Sequence, residues 1–230
     1  MINSLSLRHG FFLFLLPVAV LLVGCQSSGD EASSDPDDGA EEWTTLFDGE
    51  SLDGWRNPYD WGRARVENDV IALQADDKFF LVTEDTYRDF VFEGEVRLPD
   101  RESNSGFMFR AQVDSNRVYG YQAEVDPTDR AWSGGLYDEG RRGWLHPAEG
   151  DSLAGVNFRE DHGGAFKPTG WNEYRIRAEG DSLKIWVNGE MTTAVRDTVD
   201  QEGVIGIQHH GEDGKIYRFR DLRIRQLGGS

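Results

Sequence analysis

The chain has 230 residues, 42 of them acidic and 24 basic, and carries a formal net charge of −18. The acidic excess argues against a nucleic-acid partner, because phosphate backbones are bound by clustered Lys and Arg. The single cysteine excludes an internal disulfide and a thiolate-rich metal site. The sequence has no Walker-type loop and no dinucleotide fingerprint, so we expect no nucleotide or redox cofactor.

Residues 1–24 have the pattern of an export signal peptide. Arg8 supplies the positive beginning, and residues 11–23 form an apolar stretch that is too short to span a bilayer comfortably. Cys25 follows directly. This arrangement resembles the lipobox of bacterial lipoproteins, in which the cysteine is acylated and becomes the new N-terminus after cleavage. The resemblance implies lipidation at Cys25, with an ordinary signal peptide and a spare cysteine as the alternative.

Residues 25–42 are predicted to be a disordered acidic tether, since they contain seven carboxylates and no basic residue. Such a segment would hold residues 43–230, the predicted single domain, away from a membrane. We expect an exported protein whose contact with a bacterial membrane is through the lipid anchor, either on the periplasmic side of the outer membrane or at the cell surface.

The predicted domain has the pattern of an all-β protein. Apolar and polar residues alternate with the period of two that is typical of half-buried strands, and Gly180-Asp181 and Asn188-Gly189 are tight-turn signals. No window keeps an apolar face at helical spacing. The predicted strands are residues 90–98, 106–112, 118–125, 174–178, 183–187, 204–208 and 216–227. Many short strands predict an antiparallel β-sandwich or jelly roll.

Residues 126–166 interrupt this alternation and are predicted to form one long irregular loop. The segment is rich in Trp, Tyr and Arg, which disordered segments lack. A long excursion in a compact domain is usually functional. We therefore interpret it as a binding loop.

Two carboxylates are candidates for chemistry. Glu124 and Asp126 stand two residues apart on a predicted strand, so both face the same side. With Asp129 they resemble the Glu-x-Asp-x-x-Glu strand of laminarinase-type glycosidases, in which two carboxyl groups about 5 Å apart flank the glycosidic bond. Pro127 would interrupt the strand before the third carboxylate. Solvent-facing acids at a strand end are the alternative.

Aromatic and basic side chains of the predicted loop suit a sugar ligand, because sugar pockets combine flat apolar faces with a few convergent polar groups. The candidates on or near the loop are Tyr121, Trp132, Tyr137, Trp144, Arg110, Arg130, Arg141 and Arg142. The alternative is that Trp132 and Trp144 merely fill the interior of the loop. His209 and His210 end a predicted strand, and only one of two adjacent residues can face a given pocket.

Seven segments carry a family resemblance, and they run in order through nearly the whole predicted domain. They are residues 46–55 (LFDGESLDGW), 102–106 (ESNSG), 120–126 (GYQAEVD), 130–144 (RAWSGGLYDEGRRGW), 171–176 (WNEYRI), 186–189 (WVNG) and 208–211 (QHHG). Together they resemble the 3-keto-glycoside lyase/hydratase family, also called the 3-keto-disaccharide hydrolase domain.

The resemblance implies a concanavalin-like jelly roll that acts on sugars already oxidised at C3. The implied reaction is elimination across C1–C2 followed by hydration of the enone. His210 matches the position of the family's Gln-x-His-Gly histidine. Glu124, Asp126 and His210 are then the candidate acid–base groups, and Arg110, Arg141 and Arg142 are candidates to stabilise an enolate. A divalent metal ion at His210 and a carboxylate is an option that no ligand spacing demands.

Strand geometry predicts that the site is a single cavity. Residues two apart share a face, which groups Gln122 with Glu124 and Gln208 with His210. The predicted lining is Arg110, Gln122, Glu124, Tyr137, Arg141, Trp144, Gln208 and His210, and Trp132 and Arg142 are further candidates for substrate binding. Two other functions stay open: a non-catalytic carbohydrate-binding module, and a retaining glycosidase that uses Glu124 and Asp129.

Overall fold

The structure, a computed structural model, describes residues 42–228. The predicted signal peptide, Cys25 and all but the last residue of the predicted tether lie outside this range. No helix among the described residues has the length and apolar character needed to cross a bilayer.

The described chain folds into two antiparallel sheets, and the predicted all-β sandwich is confirmed. The elements in chain order are β1 (Thr44–Thr45), β2 (Trp55–Arg56), β3 (Arg63–Glu67), β4 (Val70–Gln74), β5 (Phe79–Thr83), β6 (Phe90–Arg97), β7 (Ser105–Asp114), β8 (Arg117–Val125), β9 (Leu136–Glu139), β10 (Gly143–His146), α1 (Ser152–His162), β11 (Asn172–Glu179), β12 (Ser182–Val187), β13 (Glu190–Arg196), β14 (Val204–His209) and β15 (Tyr217–Gln226). The first sheet has the order β13-β12-β11-β6-β15-β4-β3, with β1 also paired to β15, and the second has the order β10-β9-β8-β7-β14-β5-β2.

The core lies between the two sheets and is centred on Phe107 of β7. Its ring lies 5.1 to 5.7 Å from the rings of Tyr174, Phe92 and Phe219, which come from three strands of the opposite sheet. All four side chains are fully buried. Burial of such a side chain contributes about 1.5–3 kcal/mol, so this cluster fixes which residues of β7 face inward.

The outer face of the second sheet carries the residues that alternate with the core. Glu124 of β8 pairs with Gly106 of β7. Ile207 of β14 pairs with Phe107, which places Gln208 beside Gly106 on the other side. A Cβ on Gly106 would lie 2.4 Å from Cγ of Gln122. The glycine therefore leaves room for the side chain of Gln122, which lies over β7 at this point.

Arg110 does not join this outer face, contrary to the prediction. A β-bulge between Phe109 and Gln112 breaks the alternation of β7, and Arg110 adopts a φ of +46°. Its buried guanidinium donates to the carbonyl oxygens of Arg88 and Gly180 and pairs with Asp89 at 2.9 Å. Arg110 thus fastens loops at the end of the sandwich and does not line a ligand site.

The prediction that residues 126–166 form one irregular loop is wrong in part, because the segment contains regular structure. It contains the β9–β10 hairpin and helix α1. The helix buries only Gly155 and Phe158, so it has no continuous apolar stripe that the sequence could reveal. Asp151 caps its first turn by accepting from the backbone N–H groups of Leu153 and Ala154.

We predict that Arg110→Met destabilises the fold by about 3–5 kcal/mol, because it leaves the Asp89 carboxylate and several buried carbonyl groups without their partner. Urea unfolding at pH 7 measures the effect. Arg88→Met is the matched control, since the Arg88–Glu202 pair is largely exposed and should contribute less than about 1 kcal/mol. Equal effects in the two variants would contradict the structural role of Arg110.

Candidate functional site

A pocket of about 300 Å³ lies over the outer face of the second sheet. Its lining residues are Lys78, Asn104, Gln122, Glu124, Asp126, Thr128, Arg130, Tyr137, Glu139, Trp144, Gln208 and His210. Six of the eight residues predicted to share a cavity are therefore together, and Arg110 and Arg141 are not among them. Neighbouring strands lie about 4.8 Å apart, so Glu124 on β8 and Gln208 on β14 are separated by about 10 Å across β7. That is room for one pyranose ring.

Glu124 is the buried carboxyl at the centre of the pocket. Its Oε1 accepts from Asn104 Nδ2 at 2.6 Å, and its Oε2 accepts from Gln122 Nε2 at 2.8 Å. Only 4% of the residue is exposed. Burial raises the pKa of Glu124 to about 7, while the two amide hydrogen bonds oppose the shift. Near neutral pH this group can therefore both take and give a proton.

Asp126 lines the pocket, but it is already bound to other groups. Its Oδ1 accepts from the Thr128 hydroxyl at 2.6 Å and its Oδ2 accepts from Arg130 Nε at 2.5 Å. The side chain is fully buried. Asp126 therefore positions Arg130, and its predicted acid–base role stays a prediction.

Arg130 is a fixed cation beside Glu124. Its guanidinium lies 3.8 Å from Glu124 Oε1 and packs over the rings of Trp132 and Trp144, at 5.1 and 4.7 Å. Arg130 is among the cations predicted to lie beside the aromatic residues, but no motif predicts its contact with Glu124, because the direction of its side chain depends on the turn after Pro127. The signal available in the sequence was the spacing of four residues between an acidic side chain, Asp126, and a basic one, Arg130, which allows the two to form an ion pair.

His210 and His209 have different environments, as the strand alternation predicts. His210 lines the pocket and its Nδ1 lies 3.3 Å from Glu212, whose hydrogen bond raises the pKa of His210. Burial would raise the pKa of Glu212, but its hydrogen bonds with His210 and Tyr217 lower it to about 2. The pairing with Glu212 thus favours the protonated form of His210.

His209 is buried in the core. It stacks on Tyr217 with the rings 4.1 Å apart, and its Nδ1 accepts from the backbone N–H of Gly211. Its Nε2 lies 3.1 Å from the carbonyl oxygen of Lys215. These contacts select the neutral tautomer that carries the proton on Nε2, and burial lowers the pKa of His209.

The polar floor of the pocket has two acceptors without partners. The side-chain carbonyl oxygens of Gln122 and Gln208 make no hydrogen bond to any group in residues 42–228, although both residues are at most 2% exposed. A buried acceptor left unpaired is costly. Both glutamines line the pocket, so rotation of their amide groups would offer these acceptors to the hydroxyl groups of a ligand.

The aromatic wall consists of Tyr137 and Trp144, whose rings lie 5.2 Å apart. Trp132 does not line this pocket. It packs edge-on behind Trp144 at 4.6 Å and donates its Nε1–H to the carbonyl oxygen of Gly155. The predicted binding role of Trp132 at this pocket is therefore corrected to support of Trp144.

Arg141 and Arg142 are also placed differently from the prediction. Arg141 pairs with Asp138 and Asp200, and Arg142 pairs with Asp138 and Asp197. Their carboxylate partners hold them away from the pocket, and neither lines it.

The second cation of the pocket is Lys78, which no sequence motif indicates. It comes directly before β5, and its Nζ lies 2.7 Å from Glu139 Oε1. Among the residues that the structure describes, no group of three or more His, Cys, Asp or Glu side chains is arranged to hold a metal ion. Asp129, the third acid of the glycosidase-like motif, is exposed and does not line the pocket.

Comparison with known proteins gives a family and a fold. The sequence profile of the 3-keto-alpha-glucoside-1,2-lyase-like domain family matches residues 42–225. A search of curated proteins found no match. A candidate glycosyl hydrolase from Parabacteroides distasonis has a TM-score of 0.57 and 17% identity, with 80% of this chain and 94% of the other covered.

Two further solved structures share the fold. A carbohydrate-binding module from Bacillus subtilis has a TM-score of 0.51 and 17% identity, with 74% of this chain and 93% of the module covered. The β-glucanase from Bacillus licheniformis has a TM-score of 0.51 and 10% identity, with 82% and 99% covered. At such identities the likeness shows the fold alone, which occurs here in both enzymes and binding modules.

We predict that Glu124→Gln changes the pH dependence of stability. The folded-state pKa of Glu124 is raised from 4.5 to about 7, so its favourable contribution is present below pH 4.5 and is lost as the pH rises to about 7. Relative to the wild type, the variant should gain about 3 kcal/mol between pH 4.5 and pH 8. Urea unfolding at both pH values measures the difference.

The exposed Asp129→Asn serves as the control for this experiment and should shift by less than about 0.5 kcal/mol between the same pH values. If Glu124→Gln showed the same difference from the wild type at both pH values, Glu124 would not change its protonation in the folded protein over this range.

Proposed function

Because this chain belongs to the 3-keto-alpha-glucoside-1,2-lyase-like family, we propose that it cleaves 3-keto-glycosides by elimination across C1 and C2. The observation that carries the proposal is a buried carboxyl with a pKa of about 7, beside a fixed guanidinium, in a pocket that one sugar ring fits. The pocket's unpaired carbonyl oxygens and aromatic wall support a carbohydrate ligand.

Glu124 is the proposed base. A ketone at C3 acidifies the hydrogen on C2, so a carboxylate with a pKa near 7 can remove it. The amides of Asn104 and Gln122 each occupy one lone pair of a carboxylate oxygen, which orients the group and leaves the other lone pairs for the C2 proton. The electron pair of the C2–H bond then moves into an enolate whose negative charge lies on the C3 oxygen.

His210 and Lys78 are proposed to stabilise that oxygen. His210 follows β14 and Lys78 precedes β5, across β7 from the strand of Glu124, and the Lys78 ammonium extends to Glu139 of β9. The protonated imidazole donates a hydrogen bond to the C3 oxygen, and the Lys78 ammonium adds positive charge. Groups already fixed in place cost little reorganisation when charge develops.

Departure of the C1 oxygen completes the elimination. The enolate pair forms the C1=C2 double bond as the C1–O bond breaks, and Glu124 returns its newly acquired proton to the leaving oxygen. The products are an alcohol and a 2-hydroxy-3-keto-glucal, so no external oxidant or proton is needed. The ionised Glu124 can then activate a water for addition to C1 of the enone.

The test compares a 3-keto-glucoside with the same glucoside left unoxidised. The wild type should release the aglycone from the 3-keto compound only, with the enone followed by its ultraviolet absorbance. Glu124→Gln should lower kcat by about 10²-fold or more, because general-base catalysis typically contributes that much, and should retain binding. Asp129→Asn should stay within about twofold, because this side chain does not reach the pocket.

Two other results would contradict the proposal, and each would identify a different function. Cleavage of the unoxidised glucoside, abolished by Asp129→Asn, would identify a retaining glycosidase. Binding of both sugars without turnover of either would identify a non-catalytic carbohydrate-binding module.

We also propose that Cys25 attaches the domain to a bacterial membrane, on the sequence pattern alone. Cys25→Ser should move the protein from the membrane pellet to the soluble fraction, because the acyl chains can no longer be added. Immunoblots of fractions washed with high salt check the outcome, and the specific activity of the released protein should not change. A variant that still sediments with membranes would contradict lipidation at Cys25.

A further inference from the structure

A second pocket, of about 530 Å³, lies next to the one described above. The two pockets share two lining residues, Arg130 and Trp144, so these side chains form the partition between them. The partition is held from both sides: Asp126 binds the Arg130 guanidinium, and Trp132 packs against Trp144. The proposed reaction does not use the second pocket.

One wall of the second pocket is a face of helix α1. Ser152, Gly155, Val156 and Arg159 follow the i, i+3, i+4, i+7 spacing of one helix face, and all four line the pocket. Gly155 lets the helix approach closely, since a Cβ there would lie 2.6 Å from the indole of Trp132. The helix that the sequence pattern did not reveal is therefore what closes this cavity.

The chemistry of the walls distinguishes the second pocket from the first. The first has two unpaired buried carbonyl oxygens and several charged groups, which suit the hydroxyls of a sugar. The second has two indole rings and the apolar surface of Ala148, Gly155 and Val156. Although Glu149, Asp151, Ser152 and Arg159 also line it, its surface is more apolar than polar, the reverse of the first. Two indole rings in a mainly apolar surface suit a flat apolar ring better than the many hydroxyl groups of a second sugar.

We propose that the second pocket binds the leaving group of the glycoside and favours an aryl aglycone over a second sugar. This inference rests on the proposed function for the position of the sugar ring. With C2 beside Glu124, the oxygen substituent on C1 lies two bonds away, and Arg130 is 3.8 Å from that same carboxylate. The substituent passes the partition at Arg130 and Trp144 and enters the second pocket.

The test uses two variants of the same helix. Val156→Asp places a carboxylate in the apolar wall, and Leu153→Asp places one on the side of α1 that does not line the pocket. Both residues are partly exposed, at 37% and 66%, so neither change should prevent folding. The substrates are the methyl, phenyl and glucosyl 3-keto-glucosides, and the measured quantity is kcat/KM.

We expect Val156→Asp to lower kcat/KM for the phenyl substrate about tenfold and to leave the methyl substrate within about twofold. Leu153→Asp should leave both unchanged. In the wild type, the phenyl substrate should be preferred over the glucosyl one. A wild-type preference for the glucosyl substrate, or equal effects of Val156→Asp on the phenyl and methyl substrates, would overturn the inference.

A binding measurement separates this inference from the proposed reaction. Phenyl glucoside, which carries no ketone, is titrated against the tryptophan fluorescence of each protein. The wild type and Leu153→Asp should bind it with similar affinity, and Val156→Asp should bind it about tenfold more weakly. If no 3-keto-glucoside is cleaved but this pattern is observed, the proposed function fails and the pocket assignment stands. If the three proteins bind phenyl glucoside equally, the pocket assignment fails.

Discussion

The position of Phe107 between the two sheets determines which side chains remain available to a ligand. Its ring contacts aromatic rings of three strands in the opposite sheet, and a shift of one residue in β7 would turn it outward and expose it. Gly106 must therefore face the other way, and strand pairing places Glu124 and Gln208 on either side of it. The layout of the pocket is a consequence of how the core packs.

Within that layout, the carboxylates divide into two kinds. Three of them pair with a basic side chain. The pairs are Asp126 with Arg130, Glu139 with Lys78, and Glu212 with His210. Glu124 instead receives hydrogen bonds from two neutral amides. Three paired acids therefore fix positive charge around one carboxyl that is free to change its protonation state, and this preorganisation is what electrostatic catalysis requires.

Much of the fold and the floor of the site follow from local sequence pattern. The alternation in β6, β7 and β8 is set by burial on one face, so the strands, the pairing of Gln122 with Glu124 and the opposite facing of His209 and His210 could all be predicted. The same rule failed at Arg110, because a β-bulge changes the side-chain direction without any residue type that announces it.

The other differences arise from contacts between distant parts of the chain. Arg141 and Arg142 are held by Asp197 and Asp200, more than fifty residues away. Helix α1 packs mainly through Gly155 and Phe158, which is too little burial to give a periodic signal. The spacing of residues along the sequence does not show which distant side chains will be in contact in the folded protein.

The partition of Arg130 and Trp144 has a consequence for the order of product release. The helical wall of the second pocket consists largely of exposed residues, including Ser152, Val156 and Arg159, whereas the floor of the first pocket is buried. Under the proposed mechanism, the aglycone has its own path to solvent and departs first, while the enone stays beside Glu124. Elimination and hydration can then proceed as successive steps of one turnover, without release of the reactive intermediate between them.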